Sequence, residues 1–154
     1  MGTTTFSGPV RSERGFTAVG STAVVAITAE TTLTYADHVG RIIEINDADG
    51  AVTLPSITSD TIGATYKFFV GTDSTDCDIK TDGTDKFVGS LAVAGTTTKA
   101  FAPAASNDVI SMNGTTTGGD RGSIVEVTAI ATAEYMVSGT LVGSGTVATP
   151  FADS

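Results

Sequence analysis

One thiol and one imidazole occur in this chain, Cys77 and His38, and nucleophilic or acid–base catalysis near neutral pH would draw on them first. His38 sits in Ala36-Asp37-His38-Val39-Gly40, a stretch that reads as a surface turn. A Ser-His-Asp constellation would have to use it, with Asp37 beside it and many serines elsewhere. The sequence holds no Gly-x-Ser-x-Gly elbow to aim a serine at the ring. Cys77 alternates with Ile79 in a strand-like stretch, and no local signature of a thiol enzyme surrounds it. It reads as a core cysteine.

The densest run of carboxylates is Asp73-Ser-Thr-Asp76-Cys-Asp78-Ile-Lys-Thr-Asp82-Gly83-Thr-Asp85. Calcium needs six to eight oxygens on one point, and an EF-hand loop supplies them at alternating positions before a glycine. Here Ile, Lys and Thr follow Asp78, so that spacing fails. Turns on either side of a short strand account for the same residues without a metal. Gly143-Ser-Gly145-Thr-Val-Ala148 matches the glycine spacing of a dinucleotide loop, but no helix and second strand follow to complete the unit. Glu126 and Glu134 could form a carboxylate pair, yet no aromatic platform suggests a sugar cleft. Asn113-Gly114-Thr115 is a formal glycosylation sequon that matters only to a secreted chain. The expectation is a protein with no catalytic residues, no cofactor and no metal.

The elements that carry these residues read as β throughout. The chain has 154 residues, 28 of them Thr and 18 Gly. Branched Thr and Val suit a pleated surface, while Gly marks turns at short intervals. No stretch keeps a 3.6-residue apolar period. Strands are predicted at 22–28, 31–35, 40–46, 51–54, 64–70, 77–81, 86–91, 99–102, 109–112, 123–131 and 134–142. A short helical turn is predicted over 59–63. Tyr66, Phe68 and Val70 share one face of 64–70, and Lys67 and Phe69 share the other. Turns every eight to twelve residues point to an antiparallel β-sandwich or barrel, jelly-roll-like in outline.

Residues 1–20 fall outside this rhythm and read as an extended N-terminal arm, with Phe6, Val10 and Phe16 as apolar anchors. Residues 21–148 read as one β domain and 149–154 as a C-terminal tail. The chain is strongly acidic, with 17 Asp+Glu against 8 Lys+Arg and a net charge of −9. That sign disfavours nucleic acid and anionic membranes as partners. A single cysteine permits no internal disulfide, which fits a reducing cytoplasm. The opening residues hold no apolar run of the signal-peptide kind, and no stretch approaches the ~18–20 apolar residues of a membrane span.

Three stretches together resemble small structural proteins of tailed bacteriophages, in particular head decoration (cement) proteins. They are TTFSGPVRSERGF near the start, VTLPSITSDTIGATYKFFVG in the middle, and TDGTDKFVGSL followed by APAASNDVISMNGTTTGGDRGSIVEVTAIATAEYMVSG. The pattern is also similar to repeats of phage fibre-like proteins. The resemblance implies a non-enzymatic virion protein, made in the host cytoplasm, that binds the outer capsid surface and stabilises the lattice. Its implied partner is the major capsid protein, and its implied state is a homotrimer. Within the arm, Phe6, Val10 and Phe16 are the expected burial sites on the capsid, with Arg11 and Arg14 pairing to capsid carboxylates. A tail-associated or fibre module is the alternative. A carbohydrate-binding sandwich is a weaker one, because Trp is absent and Tyr35, Tyr66 and Tyr135 are the only tyrosines.

Overall fold

Thirteen short strands follow one another in the computed structural model, which describes residues 19–154. They are β1 (Val24–Ile27), β2 (Thr31–Thr32), β3 (Ile42–Ile45), β4 (Ala51–Thr53), β5 (Thr65–Val70), β6 (Cys77–Lys80) and β7 (Lys86–Gly89). Then come β8 (Leu91–Ala94), β9 (Thr98–Phe101), β10 (Val109–Met112), β11 (Ile124–Ala131), β12 (Glu134–Val142) and β13 (Phe151–Ala152). One helical turn, α1 (Tyr35–His38), lies between β2 and β3. Two sheets face each other. The larger runs β1-β3-β5-β11-β12-β8-β9, with β7 also on β12, and the smaller runs β13-β10-β6-β4-β2.

The architecture is the all-β, two-sheet sandwich expected from the sequence, but its strand directions differ from the antiparallel expectation. From β1 to β6 the chain crosses to the opposite sheet after every strand. Each strand therefore lands beside the one two places earlier and runs the same way. β1, β3 and β5 are parallel neighbours in the larger sheet, as are β2, β4 and β6 in the smaller. Only later do antiparallel pairs appear: β5–β11, the β11–β12 hairpin, β8–β9, β6–β10 and β10–β13. Turn signals mark a reversal of the chain but not which sheet receives it, so they carry no information on this point.

Alternation along the strands builds the core. Tyr66, Phe68 and Val70 of β5 point inward with Ile43 and Ile45 of β3, and they meet Val52, Cys77, Ile79 and Ile110 from the smaller sheet. The Tyr66 and Tyr135 rings meet edge to face, with centroids 6.5 Å apart. The Tyr135 hydroxyl donates to the Pro55 carbonyl at 2.6 Å, tying β12 to the end of β4.

Three local expectations are corrected, and the C-terminal tail takes one of two open courses, folding back onto its own domain. The predicted strand 31–35 stops at Thr32, and Tyr35 opens α1 because the Thr34 hydroxyl caps it by accepting from the Asp37 amide. Residues 59–63 form successive turns rather than a helix, with Thr61 N bonded to Thr58 O and Ala64 N to Thr61 O. The predicted strand 86–91 is two strands. They break at Gly89, whose φ of 112° leaves the strand region and whose added Cβ would lie 2.3 Å from the Val137 carbonyl oxygen. The tail 149–154 returns to the sandwich. β13 pairs with β10, and the Phe151 ring packs on Phe87 at 6.5 Å.

Candidate functional site

Alternation leaves every second side chain of the larger sheet on its outer surface, and there the residue types are unusual. Four adjacent strands carry apolar doublets: Val24-Val25, Ile42-Ile43, Phe68-Phe69 and Ile124-Val125. One member of each doublet serves the core or packs against it. The other, Val24, Ile42, Phe69 or Ile124, faces outward. Ile42 is 47% exposed and Ile124 53%.

Register collects these residues into two neighbouring rows. Val24 lies opposite Ile42, Ile42 opposite Lys67, Lys67 opposite Glu126, and Glu126 opposite Ser138. In the next row Glu44 lies opposite Phe69 and Phe69 opposite Ile124. Together they line an open groove of about 740 Å³, floored in part by Gly139. Gly139 has φ 148°, and an added Cβ would fall 2.2 Å from the Ile124 carbonyl oxygen, so a larger residue would push β12 away from β11. Lys67 Nζ reaches Glu126 Oε2 at 3.3 Å, whereas Glu44 makes no ion pair with another described residue. Beyond the first row, on the side away from the second, the Thr65 and Thr128 hydroxyls bond at 2.9 Å, and Met136 adds another exposed apolar side chain. The groove can bury apolar side chains and receive cations beside Glu44 and Glu126.

The residues with catalytic potential lie elsewhere and are engaged. Cys77 is fully buried, and its thiol is pushed up to about 12 by burial, with the Asp78 and Asp47 carboxylates adding to the effect. It therefore stays protonated at neutral pH. His38 is only 8% exposed, which corrects the surface expectation. The α1 turn folds its ring back onto the cap, where Nδ1 lies 3.0 Å from the Thr34 amide. The acidic run 73–85 is spread over separate loops. Asp73 accepts from the Arg121 amide at 2.7 Å, Asp82 from the Thr84 amide at 2.9 Å, and Asp85 from the Ile57 amide at 2.9 Å. Among the described residues no three His, Cys, Asp or Glu side chains converge as a metal site.

Glu126 and Glu134 are not brought together. Glu126 faces Lys67 in the groove, and Glu134 starts β12 opposite Ala131. Asn113 builds its own turn, accepting from the Thr115 and Thr117 amides. The 143–148 glycine segment is a loop whose Gly143 amide bonds Ala94 and whose Val147 is buried. Tyr66 and Tyr135 are buried, so only Tyr35 presents its ring to solvent. No helix among the described residues is long and apolar enough to cross a membrane. The arm residues Phe6, Val10, Arg11, Arg14 and Phe16 lie outside the described residues.

The sequence sets Phe69 on the same strand face as Lys67 but does not pick out the groove. The signal that could have found it is the doublets themselves, since a strand with one solvated face carries apolar residues at every second position only. Comparison with known proteins finds no matching family model, no matching curated protein and no matching solved structure.

Proposed function

We propose that this protein is a non-enzymatic structural subunit that binds other protein subunits, acting as a decoration protein on the outer surface of a bacteriophage capsid. The observation that carries the reading is the outward face of the larger sheet. It sets Val24, Ile42, Phe69 and Ile124 side by side on a sandwich that is otherwise acidic. Contiguous exposed apolar surface with a polar rim is the usual mark of a protein-binding site. An open groove suits a polypeptide better than a small molecule, which is normally enclosed on most sides. The phage-like stretches of the sequence supply the choice of capsid as partner.

In this reading the sandwich is a rigid body, and the segment 1–20 is its second point of attachment. Phe6, Val10 and Phe16 bury against the capsid, and Arg11 and Arg14 meet its carboxylates. A ligand that binds only the assembled lattice stabilises it by mass action, about 2.7 kcal/mol per site at a hundredfold excess over Kd. Repetition over a lattice multiplies that effect, and a homotrimer would bridge neighbouring capsid subunits.

Cosedimentation with undecorated particles of the virus that encodes the chain tests the proposal. The wild-type protein is expected to pellet with the particles, and the double variant Ile42→Asp/Ile124→Asp is expected to stay in the supernatant with an unchanged circular dichroism spectrum. Equal pelleting of the two would remove the sheet face from the account. No pelleting of either would remove the capsid.

A further inference from the structure

The groove opens beside the point where the first eighteen residues join the sandwich. Val24, its first lining residue, begins the edge strand β1, only five residues after the exposed Val19. Between them the chain turns sharply. Gly20 takes φ 104°, and the Ala23 amide bonds the Gly20 carbonyl at 3.0 Å to close a 3-10 turn over Ser21–Ala23. Four strand spacings, about 19 Å, separate β1 from β12 across the groove. Eighteen extended residues reach about 60 Å, so the segment can turn back and cross the whole face.

Its composition matches what the groove presents. Residues 1–18 carry Arg11 and Arg14 against the single acid Glu13, and are net positive on a chain of net charge −9. The groove offers two carboxylates, Glu44 and Glu126, and only Glu126 has a cation partner among the described residues, Lys67. Phe6, Val10 and Phe16 supply apolar side chains to the surface made by Val24, Ile42, Phe69 and Ile124. A volume of about 740 Å³ holds several such side chains.

We propose that the groove is the binding site of the chain's own residues 1–18, with Phe16 and Val10 against Ile42, Phe69 and Ile124 and with Arg11 and Arg14 beside Glu44 and Glu126. Tethering favours the chain's own segment over that of another copy, because a short linker gives an effective concentration in the millimolar range. The pairing itself does not depend on the capsid reading. Joined to that reading, it means that the free subunit covers its docking face, and that the same arm side chains change partner when the lattice binds. The apolar face is thereby kept from self-association while the protein accumulates.

Paramagnetic relaxation on the full chain tests the pairing with no capsid present. A nitroxide on Ser12→Cys is selective, since Cys77 is fully buried. The expected result is loss of the Ile124 methyl signals as complete as that of Ile42 and Val24, with recovery in the Arg11→Glu/Arg14→Glu background. Attenuation that merely fades with distance from Val19, and is the same in the charge-reversed background, would overturn the proposal. Loss of signal in a mixture of spin-labelled unenriched chains with unlabelled isotope-enriched chains would overturn it in favour of a second copy.

Discussion

Asp108 is 3% exposed, and its carboxylate is held from three directions. Lys86 Nζ donates at 2.6 Å, the Ser154 amide at 2.8 Å and the Ser154 hydroxyl at 3.2 Å. Burial opposes the charge, but these donors outweigh it and hold the carboxyl below the usual range. A carboxylate with a depressed pKa stabilises the fold above its unfolded value, near 4, and that contribution is lost as pH falls through the folded value. Because Lys86 starts β7 and Ser154 follows β13, the group pins one sheet to the other. Lys86→Met is expected to cost about 2–3 kcal/mol at pH 7, by leaving a buried charge short of its cation. Urea unfolding measures the difference, and the gap should narrow in acid.

Asp78 has the opposite sign. One of its carboxylate oxygens is buried without a partner, and burial, with some help from Asp76, raises its pKa against the Ser111 hydroxyl. Its ionised form costs stability at neutral pH, and the cost is relieved as pH falls through the raised value. Asp78→Asn is expected to raise Tm at pH 7 and to lose that advantage in acid. A variant no more stable than wild type at pH 7 would contradict this assignment.

At the scale of elements, the β11–β12 hairpin turns through Thr132 and Ala133, and Ala133 takes φ 65°. A left-handed alanine costs about 1–2 kcal/mol, and a glycine there costs about 0.4–1 kcal/mol in added freedom of the unfolded chain. Ala133→Gly is therefore expected to stabilise the fold by up to about 1 kcal/mol, read as a higher denaturation midpoint. The strands themselves were largely legible. Val109–Met112 and Glu134–Val142 fall where alternation predicts them, and the inward face of β5 is the one that Tyr66, Phe68 and Val70 define. Strand order was not legible, because pairing β1 with β3 rather than with β2 depends on which sheet the chain enters after Ala29. Nor was α1, whose cap rests on one threonine hydroxyl inside a β-branched stretch. The groove was half legible. Its residues stand in the sequence as doublets, but only the register places Ile42 next to Val24 and Phe69 next to Ile124.

For the whole molecule, two properties pull in different directions. Residues 19–154 carry nearly all of the negative charge, and like charges on two copies repel. The larger sheet meanwhile offers an apolar face that gains from being covered. Under the proposed function, that face is where the complementary capsid surface binds. Salt should weaken the part of binding carried by Arg11 and Arg14 and leave the apolar part, so raising ionic strength is expected to lower capsid affinity without abolishing it. Full loss of binding at moderate salt would place the interaction on charge alone.

The copy number of the chain in purified particles, measured by quantitative mass spectrometry against the major capsid protein, bears most directly on this account. A ratio near one chain per capsid subunit is the expected result, since a lattice-covering protein must match its lattice. A few copies per particle would instead assign the chain to a fibre or tail, and its absence from particles would contradict the capsid role altogether.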